Sequence, residues 1–518
     1  MERDNNPQKI RLSVKVLPLI IHHNSIYILI IPLTLTAFTH LWNPIGYPHV
    51  GVDESVYLLR AMQLLAGQGL QFTHTWPTLA DYDHPYFGQL FLAGIFRLIG
   101  YPGLFNPLQA NDHFVGTLYI VPRVLMGLLA IVDTYLVYEI AQRRYNSVVA
   151  FIASILFAVM PMTWLTRWTV LDSIQLPFFL SSILFAICYT KNSTRTVRNK
   201  IPILLSGILF GLAIFTKIPV FTMIPLVGLL IYKNNDKPLK ALAVWIIPVI
   251  LIPLIWPIYA FSIGQFNLWL TGIHSQGYRG AHHIINSILI RLGMSALGTD
   301  PLLAGLGIAG FAYAVIRRDY LILLWIIPYL LFLDVIDVVQ TIYLIPLIPV
   351  ICIAAARLIK ELSDKIRQTN IRKVLPFIII SVIGIFGLVS TTMLITQNVN
   401  SAVFKSTAFV IYSLRTNNGE NNGKISTVIS SPTYSWILKY VFHFQDHFIS
   451  YWETVPHNTQ KAIFVSPYAV SDAFVVVSKN IPTAVQIQNM YRANTTNMVA
   501  NFKDSYTHVP ISIYEIGF

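Results

Sequence analysis

Charged and polar side chains recur where the apolar segments of this chain end, and their types suit acid–base chemistry on an anionic substrate. They are Asp53, Glu54, Asp83, His84, Arg123, Arg167, Asp172 and Lys217. Once the apolar segments are threaded through a membrane, all eight residues fall on one side of it. Because charge is costly in or near hydrocarbon, its recurrence on one side indicates a shared polar site. The pattern therefore favours a membrane-embedded enzyme over a passive anchor.

Each of these residues also has a structural explanation when it is taken alone. Asp53 precedes an amphipathic stretch, Tyr57–Leu65, which we expect to lie as a helix at the membrane interface, and its carboxylate can cap that helix. His84, or any one of the Arg and Lys residues, is explained when taken alone by a side chain that keeps its polar end at the membrane–water interface. The outer side of a membrane protein carries few cations, however, and here three of them occur with carboxylates nearby. Arg and Lys both bind phosphate, so the set predicts a pocket for a phosphate-bearing lipid.

The composition indicates an α-helical polytopic membrane protein. Of 518 residues, 55% are hydrophobic and 11% are charged, and the mean hydropathy is +0.60, which is too apolar for a soluble domain. The net charge of +13 is scattered among apolar segments, which argues against a nucleic-acid partner. A helix needs about 20 apolar residues to cross a bilayer. About eleven transmembrane helices are predicted, near residues 18–41, 117–140, 148–164, 174–190, 201–216, 218–232, 241–261, 301–316, 320–333, 341–356 and 374–396.

Charge also decides how the apolar stretch 86–100 is placed. This stretch is short and bounded by Pro85 and Gly100, and we expect it to lie as a helix on the membrane surface. With eleven spans, 21 of the 36 Lys and Arg residues fall in loops assigned to the inside. A further crossing at 86–100 would move Arg143 and Arg144 outside, against the positive-inside rule. The protein is therefore predicted to lie in the plasma membrane with a cytosolic N-terminus.

The composition changes after the last predicted span. The tail is polar and contains β-rich runs at Ile425–Ile429, Ala462–Val465, Ala473–Val477 and Ile511–Ile516. Between the first two runs, Ser431 and Pro432 are predicted to open a helix that continues through Trp436 and Tyr440. The chain thus divides into a membrane domain, 1–396, with a first outer loop at 42–116 that holds the interfacial helices, and a small α/β domain, 397–518. An odd number of spans places the second domain on the extracytoplasmic side.

Several short motifs follow one another along the membrane domain, and their order carries a family resemblance. They are Asp53-Glu54, Asp83-His84-Pro85, Pro122-Arg123, Arg-x4-Asp-Ser from Arg167 to Ser173, Gly-Leu-Ala-x3-Lys from Gly211 to Lys217, and a Tyr-x-x-Pro span that begins at Tyr343. With these motifs, residues 40–360 resemble the GT-C superfamily of polyprenyl-phosphate-sugar glycosyltransferases. The protein O-mannosyltransferases and the aminoarabinose (lipid A) transferases are the most similar branches. Tyr86 replaces the second proline of the family's His-Pro-Pro version, which leaves the branch and the substrate open.

The resemblance implies an enzyme that moves a sugar from polyprenyl or dolichyl phosphate to a protein or lipid acceptor on the extracytoplasmic side. The sugar would be mannose or another hexose or pentose, and one-step attack would invert its anomeric carbon. By motif position, Asp53 would be the catalytic base and Glu54 a supporting acid. The candidates for binding the donor phosphate would be His84, Arg123, Arg167 and Lys217, with Tyr343 nearby. Asp83 and Asp172 would support neighbouring basic groups.

Two other classes of protein remain open at this point. A flippase or transporter of lipid-linked sugars would also have many spans, but it predicts polar residues near the midplane and paired halves with broken helices. An assembly protein would use its outer domain to recruit partners. Charge clustered on one side favours the enzyme. No nucleotide is expected, and a divalent cation at Asp53 and Glu54 is an open alternative.

Overall fold

Helices make up most of the chain before residue 417. The computed structural model describes residues 23–69, 82–105, 111–188, 201–277, 288–336, 340–417, 427–430, 432–444, 448–450, 461–465, 496–502 and 511–517. The helices are α1 (His23–Leu41), α2 (Val52–Leu65), α3 (Phe87–Ile99), α4 (Asp112–Thr117), α5 (Ile120–Arg144), α6 (Ser147–Val159), α7 (Leu171–Cys188), α8 (Ile201–Thr216), α9 (Ile224–Asn234), α10 (Pro238–Ser262), α11 (Phe266–Gly277), α12 (Ile288–Thr299), α13 (Pro301–Ile316), α14 (Tyr320–Ile336), α15 (Ile348–Asp364), α16 (Thr369–Ile395), α17 (Ser401–Asn417) and α18 (Pro432–Trp436). Segments of 3₁₀ helix occur at Pro161–Arg167, Ile218–Met223 and Thr341–Leu347.

Helix length and hydropathy identify an integral membrane protein. Within the described ranges, five helices are long and apolar enough to cross a membrane: Asp112–Arg144, Leu171–Cys188, Pro238–Ser262, Thr341–Asp364 and Asn370–Ile395. Two bent pairs bring this number to seven if each is one span: Ser147–Val159 with Pro161–Arg167, bent by 68°, and Pro301–Ile316 with Tyr320–Ile336, bent by 116°. Each of the eleven predicted segments coincides with a helix. The number of crossings stays a prediction, because the other helices among them are shorter.

The helices define two ends of the bundle. At one end, the Asn43 side chain, just after α1, donates to the Ile395 carbonyl at the end of α16 over 2.8 Å. We call this the site end, because α5 and α7 also begin here. At the opposite end, the Tyr145 hydroxyl, just after α5, donates to Asp319 over 2.6 Å, just before α14. Helices α5, α15 and α16 therefore each run the full distance between the two ends.

The helix α2 is covered by other parts of the protein, and its predicted place at the membrane interface stays a prediction. Most of its side chains from Glu54 to Gln63 are buried, on more than one face. The cover comes from α3 and from α18, a helix that lies far along the chain and that the local pattern of α2 could not reveal. Helix α3 fills the predicted stretch 86–100, but its N-cap is Tyr86, so Pro85 and His84 precede the helix. The position of α3 on the membrane surface stays a prediction.

The tail contributes strands β1 (Thr427–Ser430), β2 (Phe448–Ser450), β3 (Lys461–Val465), β4 (Thr496–Phe502) and β5 (Ile511–Gly517). They form a sheet in the order β2-β1-β3-β5-β4, in which β1 is parallel to β2 and β3, and β5 is antiparallel to β3 and β4. Strands β1, β3 and β5 match predicted runs, whereas β2 and β4 were not predicted. The predicted helix begins at Pro432 and continues as a π-helical segment, Ile437–Val441. The run 473–477 and Ser431 lie outside the described residues, and a separate outer domain stays a prediction.

Candidate functional site

The site is assembled at the site end from pieces of chain that are far apart in sequence. The start of α2 carries Asp53 and Glu54, and α5 begins just before Arg123. The Arg167–Asp172 turn precedes α7, and Lys217 lies in the turn after α8. Each piece places a charged side chain at the end of an apolar segment, where its head group avoids the hydrocarbon. The candidate residues therefore share one end of the bundle, as the sequence predicts.

Glu54 and Arg123 form a buried ion pair with two parallel bonds. The Arg123 Nε and Nη2 atoms donate to the two carboxylate oxygens of Glu54 over 3.0 and 2.7 Å, and both side chains are buried. The Thr169 hydroxyl donates to Glu54 Oε1 over 3.0 Å. Bidentate Arg–carboxylate pairs fix the orientation of both partners. Glu54 therefore joins α2, α5 and the turn before α7.

The remaining bonds of Arg123 go to backbone carbonyls. Its Nη1 atom donates to the Pro44 and Pro48 carbonyls over 2.9 and 2.8 Å. Together with the two bonds to Glu54, these bonds occupy four of the five N–H groups of a guanidinium. Arg123 thus holds the segment after α1 in place. This arrangement leaves little capacity for the donor phosphate that the sequence assigns to Arg123.

Arg167 has a similar structural role. It is buried, and its guanidinium donates to the Thr39 carbonyl over 3.1 Å, to the Asn43 carbonyl over 3.3 Å, and to the Trp42 carbonyl. The last carbonyls of a helix have no partners within it, and a cation there is favourable. Arg167 therefore caps the end of α1. These bonds use three of the five N–H groups of its guanidinium, and a role of Arg167 in binding the donor phosphate stays a prediction.

Lys217 keeps donor capacity at the centre of the site. Its ammonium donates to Asp172 Oδ2 over 2.6 Å and lies 4.6 Å from the centre of the Tyr343 ring. Burial lowers the pKa of Lys217, but Asp172, Tyr343 and Asp53 together raise it above its ordinary value. An ammonium has three donors, of which Asp172 takes one. Lys217 is therefore a fixed cation that can bind a further anion, and the charge of Asp53 acts on it.

Asp53 is the half-exposed carboxylate of the site. It lies in the first turn of α2, and the N-cap of that helix is Gly51, so Asp53 is not the cap residue. An acidic side chain in this turn is favoured by the helix dipole. Burial raises the pKa of Tyr57 well above its ordinary value, and the charges of Asp53, Asp83 and Asp172 raise it further. The charges of these three carboxylates therefore act on Tyr57 as well as on one another.

Arg60 belongs to the site and was missed by the sequence argument. Its guanidinium forms an ion pair with Asp83 over 2.8 Å, and both side chains are buried. Asp53, Tyr57 and Arg60 are spaced i, i+4, i+7, so they share one face of α2. The His84 ring lies 6.2 Å from the Tyr57 ring. An arginine inside an apolar helix, seven residues after Asp53, was the signal that could have identified Arg60.

Asn400 is a second residue that the sequence argument missed. Its side-chain nitrogen donates to the Ile45, Gly46 and Pro48 carbonyls over 2.7, 3.1 and 2.9 Å, and its oxygen accepts from the Val50 N–H over 2.9 Å. Asn400 therefore holds the same segment as Arg123 and Arg167, and it shares the Pro48 carbonyl with Arg123. No local pattern around residue 400 indicates this role.

The paired carboxylates do not suit a shared metal ion in this arrangement. Both oxygens of Glu54 accept bonds from Arg123, and one also accepts from Thr169. Among the residues that the structure describes, no group of three His, Cys, Asp or Glu side chains could hold a metal. A cation bridging Asp53 and Glu54 would have to share the Glu54 carboxylate with Arg123 and Thr169. The site thus combines a half-buried carboxylate, Asp53, with a fixed cation, Lys217, on which its charge acts.

Comparisons with known proteins support the family resemblance. Residues 80–268 match the sequence-family model described as dolichyl-phosphate-mannose-protein mannosyltransferase, over about a third of the chain. This range contains His84, Arg123, Arg167, Asp172 and Lys217. None of the curated proteins compared with the chain is significantly similar to it in sequence.

The fold is similar to those of two solved structures. ArnT from Cupriavidus metallidurans bound to undecaprenyl phosphate aligns with a TM-score of 0.60 at 13% identity, covering 94% of this chain and 97% of that one. The oligosaccharyltransferase AglB from Archaeoglobus fulgidus, in complex with an inhibitory peptide and a dolichol-phosphate, aligns with a TM-score of 0.54 at 12% identity, covering 95% of this chain and 74% of that one. The predicted resemblance to the GT-C glycosyltransferases is thus confirmed, in sequence over residues 80–268 and in fold over nearly the whole chain.

Proposed function

We propose that this protein transfers a sugar from a polyprenyl-phosphate or dolichyl-phosphate donor to a hydroxyl of a protein or lipid acceptor on the extracytoplasmic side. The observation that carries the proposal is a half-exposed carboxylate, Asp53, whose charge acts on a buried cation with free donor capacity, Lys217. The sugar is mannose or another hexose or pentose. The family match over residues 80–268 supports this class of reaction. The solved structures of ArnT and AglB contain undecaprenyl phosphate and dolichol-phosphate, respectively, which supports the class of donor.

The reaction is a single displacement at the anomeric carbon. Asp53 accepts the proton of the acceptor hydroxyl while the hydroxyl oxygen attacks that carbon. The bond between the anomeric carbon and the phosphate oxygen breaks, and its electron pair leaves with the polyprenyl phosphate. Attack from the face opposite the leaving group inverts the anomeric carbon. A product that retained the donor's configuration would contradict this mechanism.

Lys217 and His84 stabilise the leaving phosphate. A cation fixed before the reaction lowers the barrier because it needs no reorganisation as negative charge develops on the oxygen. The ion pair with Asp172 holds Lys217 in its place, and the Tyr343 ring packs against its ammonium. Glu54, Arg123, Arg167 and Asp83 act as positioning residues, because their bonds are made within the protein.

The proposal is tested by sugar release from a panel of radiolabelled polyprenyl-phosphate sugars, with purified protein in detergent. The wild-type protein is expected to release or transfer the sugar of one donor. In the Asp53→Asn variant the rate should fall by a factor of about 100 to 10,000, the usual contribution of a positioned base. The variant should lose no more than about 1 kcal/mol of stability, the usual contribution of an acidic side chain in the first turn of a helix, so that unfolding would not explain the lower rate.

Asp112→Asn is the matched control. Asp112 is an exposed carboxylate in the first turn of α4, within the same outer loop, and it lies outside the site. This variant should retain wild-type turnover. Binding of a donor without turnover in any form would instead favour a flippase, and equal turnover in Asp53→Asn would remove Asp53 from the mechanism.

A further inference from the structure

A buried glutamine on α7 binds the backbone of Lys217, and the reaction proposed above does not use it. Gln175 is 2% exposed, and its Nε2 atom donates to the Ala213 carbonyl over 2.7 Å and to the Lys217 carbonyl. The first carbonyl belongs to the last turn of α8, and the second to the residue that follows this helix. Gln175 therefore ties α7 to the turn that carries the proposed phosphate-binding cation.

The turn after α8 benefits from a donor on a neighbouring helix. The last carbonyls of a helix have no N–H partners further along it. The chain leaves α8 in an extended conformation, with φ −154° and ψ 127° at Lys217, and Pro219 then provides no N–H group. The Lys217 N–H donates to the Ala213 carbonyl over 3.1 Å. Gln175 adds a second bond to that carbonyl and also binds the carbonyl of Lys217.

Helix α7 thus binds Lys217 at both ends of the residue. Asp172 Oδ2 accepts from the ammonium over 2.6 Å, and Gln175 binds the backbone carbonyl. Asp172 and Gln175 are spaced i, i+3, so they lie on one face of α7, about one turn apart. A lysine side chain has a flexible four-carbon stem. The position of the ammonium therefore depends on where the backbone is held as well as on Asp172.

We propose that Gln175 is a positioning residue for the transfer reaction, which holds the Lys217 backbone so that the ammonium meets the phosphate of the donor. The proposal rests on the proposed function, because it takes this phosphate as the ligand of Lys217. A purely structural bond between α7 and α8 would support the fold whether or not residue 217 is a lysine. A positioning residue affects the rate only through the Lys217 ammonium.

Steady-state sugar transfer by the purified full-length protein tests the proposal with Gln175→Met, which keeps the length of the side chain and removes its donor. The value of kcat should fall by a factor of about 10 to 100, because a misplacement of about 1 Å can cost a factor of about 100. Hydrogen exchange of residues 213–218 should increase. Lys217→Met/Gln175→Met should transfer sugar as fast as Lys217→Met, since it has no ammonium to position.

Gln175→Asn provides a second measurement if Gln175→Met does not fold. This variant keeps the amide but is one methylene shorter, so it cannot reach both carbonyls in the same way. Its kcat should fall less than that of Gln175→Met, and the fall should again disappear when Lys217 is Met.

Ser206→Ala is the matched control. The Ser206 hydroxyl donates to the Ser182 carbonyl over 2.9 Å and lies 3.1 Å from Ser182 Oγ, so this variant also breaks a buried contact between α8 and α7. Ser182 lies about 10 Å beyond Gln175 along α7, at 1.5 Å per residue. Ser206→Ala should unfold at a lower temperature and keep the wild-type kcat.

The possible failures of the proposal can be told apart. An equal fall of kcat in Ser206→Ala would show that any bond between these helices supports the rate, and a further fall in Lys217→Met/Gln175→Met would show that Gln175 does not act through Lys217. Wild-type kcat in Gln175→Met, with Lys217→Met impaired, would overturn the role of Gln175 alone. Wild-type kcat in Lys217→Met would remove Lys217 from the proposed function, and this role of Gln175 with it.

Discussion

The buried charged residues of the site differ in how many of their hydrogen-bonding groups remain for a ligand. The donors of Arg123 and Arg167 are directed to groups within the protein, and both oxygens of Glu54 are engaged. Lys217 donates to Asp172, and two of its three N–H groups remain for a ligand. The cations that resemble a family's phosphate ligands thus fall into two groups. Arg123 and Arg167 hold the backbone after α1, and Lys217 keeps donors for the phosphate that we propose.

Replacing Lys217 by Met should slow turnover and lower stability. Loss of one preorganised donor to a developing oxyanion typically costs a factor of about 100 to 1,000 in rate. Removing one partner of a buried ion pair also leaves the other charge uncompensated, which costs about 3–5 kcal/mol. Steady-state sugar transfer and thermal unfolding in detergent measure the two effects separately.

The double variant Lys217→Met/Asp172→Leu separates the two roles of Lys217. Replacing a buried ion pair by apolar side chains of similar volume is often neutral or stabilising. The double variant should therefore recover most of the lost stability and none of the activity. Recovery of activity together with stability would mean that Lys217 only maintains the fold.

His49 makes the stability of the site sensitive to acid. Burial lowers the pKa of His49 from its ordinary value of 6.5, the charge of Arg123 lowers it further, and Glu54 opposes them. Below about pH 6.5 the unfolded chain therefore binds a proton that the folded protein does not. The free energy of unfolding should fall as the pH drops through this value, by up to about 1.4 kcal/mol per pH unit.

Thermal unfolding at pH 7.5 and 5.5 checks the role of His49, with His49→Gln as the comparison. The wild-type protein should lose more stability on acidification than the variant does. An identical pH dependence in both proteins would show that other groups cause it.

The sequence identifies the members of the site but not what each one touches. Apolar segments that end in charge predict which side chains share one end of the bundle, and the family motifs single out the same residues. The partner of Arg123 is 69 residues away in Glu54, and that of Lys217 is 45 residues away in Asp172. Which residues become partners across such sequence separations depends on how the helices pack. The split between ligand-binding and positioning cations therefore required the structure.

At the scale of elements, three side chains fix the segment between α1 and α2. Arg123 binds the Pro44 and Pro48 carbonyls, and Arg167 binds the end of α1. Asn400 also binds the Pro48 carbonyl, together with the Ile45 and Gly46 carbonyls and the Val50 N–H. This segment leads directly into the first turn of α2, where Asp53 lies. Its anchoring therefore controls where the proposed base points.

Replacing Asn400 by Ala should loosen this segment and slow turnover, although Asn400 does not belong to the catalytic group. The substitution leaves buried backbone groups unsatisfied, at about 1–3 kcal/mol for each group. Hydrogen exchange of residues 43–51 should increase, and the rate of sugar transfer should fall.

Thr396→Ala is the control for Asn400→Ala, because Thr396 is exposed, lies four residues away, and donates its hydroxyl to carbonyls of α16. Exchange of residues 43–51 should match the wild type in this variant. Unchanged exchange in Asn400→Ala would show that the arginines hold the segment without help.

Hydropathy was a good guide to the helices and a poor guide to their neighbours. The eleven predicted segments and the stretch 86–100 all coincide with helices, because long apolar runs leave a chain in lipid few other ways to pair its backbone. The same pattern did not reveal which element covers α2, since nothing near Tyr57–Leu65 indicates that α18 packs against it. Strand β4 was missed because Thr496–Phe502 lacks the dense β-branched composition of β3 and β5.

At the scale of the whole molecule, the orientation in the membrane follows from charge. The positive-inside rule predicts that the site end faces outward. In a protein with Cys188 and Cys352 replaced by Ala, Lys405→Cys near the site end should react with a membrane-impermeant maleimide in intact cells. Lys365→Cys at the opposite end should react only after permeabilisation. The reverse pattern of labelling would place Asp53 on the cytosolic side.

The anchoring of the segment after α1 also has a consequence for biogenesis. Asn400 contacts Val50 across 350 residues of chain, which a ribosome needs about 20 to 70 seconds to add. During that time α1 and α2 can already have formed, while Asn400, which binds the segment between them, has not yet been synthesised. A nascent chain can therefore already contain Asp53 and Lys217 and still lack the contacts of Asn400 that fix the segment before α2. We expect the proposed site to be complete only after residue 400 has been added.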